Sequence, residues 1–185
     1  MKQLILKPEL HKFQTCKEFA KEFELGENDL ILTNEYIFNP YFKELNLPVK
    51  TIFQEKFGAG EPTDIMVDAI ISEASKYTFK RIIAIGGGTV VDIAKVVAVA
   101  GKEDKVDDLY DNVANLTKKH PLIIIPTTCG TGSEVTSISV INRVSKGVKM
   151  GLASEAMLPD KAVMITNMLD SLPYKIFATS SIDAM

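Results

Sequence analysis

Two short loops carry the residue types best suited to holding a ligand. The first is Gly86-Gly87-Gly88-Thr89, set between an apolar run ending at Ile85 and a Val- and Ala-rich stretch from Val90 to Ala100. Glycines lack Cβ atoms, so the backbone can take unusual conformations and approach a ligand closely. A helix starting after such a loop offers unpaired N–H groups and a positive dipole end, an anion site that suits a pyrophosphate. Asp92 falls in the first turn of that helix, where a negative charge is favoured. The spacing is not G-x-G-x-x-G, because Val91 stands where the third glycine would be, and no G-K-[ST] follows. On spacing alone, the loop reads equally as a tight strand-to-helix turn with Asp92 as a helix-end charge.

The second loop is Pro126-Thr127-Thr128-Cys129-Gly130-Thr131-Gly132-Ser133-Glu134-Val135-Thr136, which holds four threonines, one serine and two glycines in eleven positions. Hydroxyls donate to and accept from phosphates and ribose. They also cap backbone groups in loops with no ligand. The two loops matter together, because each follows an apolar run and both would open on one edge of a sheet. Cys129 reads as a small packing residue or a reactive thiol. Glu134 reads as a helix-start charge. His11 and His120 are isolated from any Cys or carboxylate at ligand spacing and read as surface or structural residues.

Positioning these loops requires a particular order of elements. Leu30-Ile31-Leu32 predicts a buried strand, Glu35 to Leu45 a helical stretch, and Val49 to Phe53 a second strand. A helix is predicted from Pro62 to Lys76, with Pro62 at its first position and Ile65, Ala69, Ile70 and Ala74 on its apolar face. Strands follow at Arg81–Ile85 and Leu122–Ile125. A hairpin is predicted from Ser137–Ile141 to Lys149–Leu152 around Ser145-Lys146-Gly147. Ala162–Thr166 is a last strand, and a helix begins at Pro173. Continuous apolar strands fit a parallel sheet buried on both faces. Strand–helix alternation predicts an α/β fold, with helices on both faces of a mainly parallel sheet. Ligands of such sheets sit outside the carboxyl ends of the strands.

Composition narrows the class. The chain has 185 residues, 46% hydrophobic and 24% charged, enough for one core without crosslinks. A net charge of −3 argues against nucleic acid as partner. No run approaches the roughly eighteen apolar residues of a membrane span. Two cysteines far apart, Cys16 and Cys129, make no disulfide framework, and a cytoplasmic location is expected.

The strings IGGGTVVDIAK (85–95) and PTTCGTGSEVT (126–136), in this order and spacing, resemble the iron-containing (group III) alcohol dehydrogenases. The likeness covers nearly the whole chain, including Gly60-Glu61-Pro62-Thr63, Lys149, Leu172-Pro173 and Asp183-Ala184-Met185. Glycerol dehydrogenases and dehydroquinate synthases share the triple glycine but not the second string. The resemblance implies a Rossmann-like domain over residues 1–172 that binds NAD, with NADP not excluded. Residues 173–185 would then be the first helix of a truncated, all-helical metal-binding domain. It assigns the cofactor to Asn34, Gly86, Gly87, Gly88, Thr89, Asp92, Thr127, Thr128, Thr131, Thr136 and Lys149, with Asp92 near the nicotinamide end. It gives the metal, Fe²⁺ or alternatively Zn²⁺, Asp183 as one ligand of four. A histidine would follow four residues later, beyond Met185, so the chain reads as an N-terminal fragment, inactive alone.

The implied reaction is hydride transfer between NAD(P) and a metal-polarised aldehyde. Within the family, the stretches ILTNE, GEPTD, RIIAIGGG, PTTCGTGSEVT and LPYKIFATSSIDA resemble the members that act on 4-hydroxybutyrate and succinate semialdehyde, and that likeness implies this substrate pair. A butanol-type alcohol, or a non-catalytic nucleotide-binding module, is the alternative. The expected partners are a small aldehyde or hydroxy acid and further copies of the chain. Asn34 departs from the family, where an Asp commonly bonds the ribose 2′-OH, so NAD over NADP is left open, with Glu35 a candidate substitute. Ser181 stands where a Gly is common.

Overall fold

The computed structural model describes residues 7–170 and 172–184, apart from the Asp183 side chain. Its strands are β1 (Glu9–Phe13), β2 (Asp29–Thr33), β3 (Lys50–Phe53), β4 (Arg81–Gly86), β5 (Leu122–Pro126), β6 (Ile138–Arg143), β7 (Val148–Ala153) and β8 (Lys161–Ile165). Its helices are α1 (Cys16–Glu22), α2 (Glu35–Tyr41), α3 (Asp64–Ala74), α4 (Gly88–Val99), α5 (Val106–Asp111) and α6 (Tyr174–Asp183).

Six strands form one parallel sheet in the order β1-β8-β5-β4-β2-β3, and β6 pairs antiparallel with β7 in a separate hairpin. The sheet is buried on both faces, as its continuous apolar strands require. Leu30, Leu32, Ile82, Ala84, Leu122 and Ile124 pack against α3 and α4. The alternate residues Ile31, Ile83, Ile85, Ile123 and Ile125 pack against α1 and α2 with Phe19, Ile37 and Phe42. Each of these Leu, Ile and Phe side chains contributes about 1.5–3 kcal/mol on burial. The α/β architecture expected from the alternation of elements, and the Rossmann-like sheet implied by the resemblance, are therefore the ones observed.

Chain order creates the site. From β2 the chain moves outward to β3, then crosses back to β4 on the other side of β2. The direction of winding reverses there, and a crevice opens between the carboxyl ends of β2 and β4.

Local details differ from the sequence reading. Thr63 caps α3 by accepting from the Met66 N–H at 3.1 Å, so Pro62 lies outside the helix rather than at its first position. The buried seam of α3 is Met66, Val67, Ile70, Ile71 and Ala74, while Ile65 is 66% exposed. Helix α4 starts two residues early, at Gly88, because Gly87 serves as its cap. Strand β1 and helices α1 and α5 escaped the sequence reading. β1 is a polar edge strand whose only partner among the described residues, β8, lies some 150 positions away.

Candidate functional site

The glycine loop sits at the C-terminal end of β4, in the middle of the sheet. Gly87 caps α4 without a side chain, so the first N–H groups of the helix face outward with no side-chain cap. Gly86 is required by packing, because a Cβ there would lie 2.7 Å from the Cβ of Val90. Thr89 anchors the loop from the other side, its Oγ1 donating to the Gly60 carbonyl at 3.1 Å.

The threonine loop leaves β5, the next strand, and touches the first. The Thr127 N–H donates to the Gly86 carbonyl at 3.1 Å. A Cβ on Gly87 would meet the Thr128 methyl at 3.6 Å, and one on Gly88 would meet that of Thr131 at 4.0 Å. The two strings singled out in the sequence thus form one edge of one sheet.

Two adjoining hollows run along this edge and share Tyr36 and Gly87. One, of about 300 Å³, is lined by Asn34, Gln54, Glu55, Gly58, Gly60 and Gly87–Val90. The other, of about 330 Å³, is lined by Ile37, Tyr41, Thr127, Thr128, Met168 and Ile176, among others. Each is of a size to take part of an extended ligand.

Helix α6 closes the end of the second hollow by packing on the threonine loop. Gly130 has φ +140°, and a Cβ there would fall 1.9 Å from the Ser180 carbonyl oxygen. Cys129 Sγ lies 3.6 Å from Ser180 Oγ and 3.9 Å from Ser181 Oγ. Cys129 therefore packs between loop and helix.

Asp92, Thr136 and Lys149 gather at a different place, between α4 and the β6–β7 hairpin. Asp92 accepts from the Val140 N–H at 3.1 Å, and its own carbonyl accepts from Ser139 Oγ at 2.9 Å. Burial pushes the Asp92 carboxyl up from its usual range, against the pull of Val140, Lys95 and Lys149. Lys149 is exposed and pairs with Glu61 at 2.7 Å. Thr136 Oγ1 accepts from Lys95 Nζ at 3.0 Å, and Lys95 also donates to the Ile138 carbonyl at 2.7 Å. Lys95 is fully buried, and desolvation lowers its pKa to about 8.

Lys95 had a signal in the sequence that went unread. The helix around it is apolar on every side, so a lysine inside it must find a partner. Glu55 and Gln54 had no such signal. They belong to a polar stretch after a strand, and only the pairing of β3 with β2 brings them to Asn34.

Asp183 ends α6, and its side chain lies outside the described residues. Among the described residues, no three His, Cys, Asp or Glu side chains gather where they could hold a metal ion. Also among the described residues, no helix is long and apolar enough to cross a membrane.

The model of the iron-containing alcohol dehydrogenase family matches residues 10–166. The chain is 44% identical over 185 residues to a 4-hydroxybutyrate dehydrogenase of Clostridium kluyveri, covering all of this chain and 50% of that protein. It is 34% identical over 127 residues to a probable alcohol dehydrogenase, EutG, of Salmonella typhimurium, covering 68% of this chain and 32% of that one. Among solved structures, a sulfoacetaldehyde reductase from Bifidobacterium kashiwanohense in complex with NAD⁺ superposes with a TM-score of 0.79 at 25% identity, over 95% of this chain and 49% of that one. The chain thus spans half or less of the length of these relatives. Its fold, its paired loops and the match along most of its length agree, and the chain belongs to the iron-containing alcohol dehydrogenase family.

Proposed function

We propose that this chain is the dinucleotide-binding half of a metal-dependent, NAD(P)-linked alcohol dehydrogenase. The observation that carries this is the Gly86–Gly88 loop, opening at the N-terminus of α4 into the crevice between β4 and β2, with Thr127 and Thr128 beside it. The N–H groups of Gly88 and Thr89 hold the pyrophosphate there. The hydroxyls of Thr127, Thr128 and Thr131 bond the dinucleotide on the β5 side, and Asn34 stands at its adenosine end. Asp92, Thr136 and Lys149 act from the hairpin side, toward the nicotinamide. NAD is the proposed cofactor, with NADP the alternative, and the bound nicotinamide supplies or takes up a hydride. The chain's own part is to hold that ring in one register and to keep water from it.

The substrate pair proposed is 4-hydroxybutyrate and succinate semialdehyde, supported by the 44% identity to an enzyme of that name. Residues 1–172 form the nucleotide domain. Residues 173–185 begin a helical domain in which Asp183 is one ligand of an Fe²⁺ or Zn²⁺ ion, the other donors lying outside these 185 residues. The exposed apolar side chains of α6, Tyr174, Ile176, Phe177 and Ile182, support this, since they need a further layer to cover them. A cytoplasmic homo-oligomer completes the reading, supported by two free cysteines and by exposed Ile138, Val148 and Met150 on the hairpin.

The test is turnover by the complete reading frame that contains these residues, loaded anaerobically with Fe²⁺ and given NADH or NADPH with succinate semialdehyde or butanal. NADH-linked reduction of succinate semialdehyde, abolished by Asp183→Ala with NADH binding intact, is the expected result. Turnover of butanal alone would sink the substrate assignment. No turnover with any metal would leave a nucleotide-binding module.

A further inference from the structure

Glu55 leaves β3 in a short turn and reaches across to the end of β2. Its Oε1 accepts from the backbone N–H of Glu35 at 2.6 Å, and its Oε2 accepts from Asn34 Nδ2 at 2.9 Å. Asn34 Nδ2 also donates to Gln54 Oε1 at 3.1 Å, and Gln54 in turn donates to the Gly58 carbonyl at 2.9 Å. The carboxylate is therefore held from two sides at the N-terminus of α2, a favourable place for a negative charge. It lines the same hollow as Gly87, Gly88 and Thr89.

In doubly wound sheets with a dinucleotide, the pyrophosphate lies on the glycine loop. The adenosine ribose lies toward the neighbouring strand, where an acid bonds its 2′-OH. The neighbouring strand here is β2, and the residue that follows it is Asn34, a neutral amide. The missing charge arrives from β3 instead. Each Glu55 oxygen spends one lone pair on its present donor and keeps another for a ribose hydroxyl. Glu35, the candidate in the sequence, contributes its backbone N–H to this arrangement.

We infer that Glu55 selects between the two nicotinamide dinucleotides, accepting the adenosine ribose hydroxyls of NAD and repelling the 2′-phosphate of NADP. Asn34 and the Glu35 N–H position it. The inference rests on the dinucleotide reading of the groove.

The test is equilibrium binding of NADH and NADPH to the 185-residue chain, read by nicotinamide fluorescence. The wild type should prefer NADH. Glu55→Gln, which keeps the shape of the side chain, should weaken NADH and strengthen NADPH, moving the ratio of the two constants roughly ten-fold or more toward NADPH. Glu55→Asp should restore the preference for NADH in part. A second arm needs no variant: 5′-AMP should displace NADH from the wild type at least about ten-fold better than 2′,5′-ADP does. An unmoved ratio in a folded Glu55→Gln protein, an equal loss of both nucleotides, or equal displacement by the two competitors overturns the assignment of Glu55 and leaves the groove's reading standing. Absence of binding by either nucleotide to the wild type overturns that reading, and this inference with it.

Discussion

At the scale of single residues, two positions show why the site tolerates so little change. Gly86 is packed against its own helix, and a methyl at 2.7 Å from Val90 Cβ has nowhere to go. Gly86→Ala should cost about 1–3 kcal/mol by overpacking, read from urea unfolding, and should weaken NADH binding by shifting the loop. Lys95 presents the opposite problem, a charge buried for the sake of two acceptors. Its folded pKa, about 8, lies below the ordinary 10.5, so between these values the unfolded chain binds more protons than the folded one. Stability from this residue therefore rises with pH across that window, and its desolvation cost is fully present below it. Lys95→Met should flatten the rise, measured as the difference in urea midpoint between wild type and variant at several pH values from about 7.5 to 10. It should also loosen the hairpin, because the Ile138 carbonyl and Thr136 hydroxyl lose their donor.

At the scale of elements, the threonine loop joins two bodies of structure. It follows β5 into the sheet edge and receives α6 on its outer side through Gly130. A side chain at Gly130 meets both a positive φ and the Ser180 carbonyl at 1.9 Å. Gly130→Ala should therefore release α6 while the sheet stays folded. The expected result is rapid amide exchange over residues 174–183 with unchanged protection in β4 and β5. The strings carrying both loops were legible as sequence, since glycine and threonine runs after apolar strands announce themselves. Helix α6 was legible as a helix from Pro173 onward. Its seat on the loop was not, because nothing in PYKIFATSSIDAM specifies that Ser180 faces Gly130.

For the molecule as a whole, α6 is where exposed apolar side chains concentrate. Ile182 is 70% exposed and Tyr174 82%, whereas the isoleucines of the sheet strands β2, β4, β5 and β8 are almost completely buried. The proposed helical domain should cover these residues. Ile182→Ser should then be nearly neutral in the 185-residue chain, within about 0.5 kcal/mol, and cost about 1–3 kcal/mol in the complete reading frame. Equal, small effects in both would mean that no such layer packs there.

Much of this molecule was written locally. The parallel α/β architecture could be read because the central strands β2, β4 and β5 are apolar on both faces and the stretches between them repeat their apolar residues at helical spacing, and those periodicities are properties of short stretches. The glycine and threonine loops could be read for the same reason. What needed the folded chain was everything decided by strand order. The polar edge strand β1 acquires its identity only beside β8. The buried seam of α3 is set by how the helix lies on the sheet, which puts Ile65 outside and Ile71 inside. Glu55 meets Asn34 only because β3 pairs with β2 in one register, bringing together side chains 21 positions apart. Periodicity says which face of an element is buried; which residues meet across the sheet's edge follows from the long-range pairing of strands, and no local pattern records it.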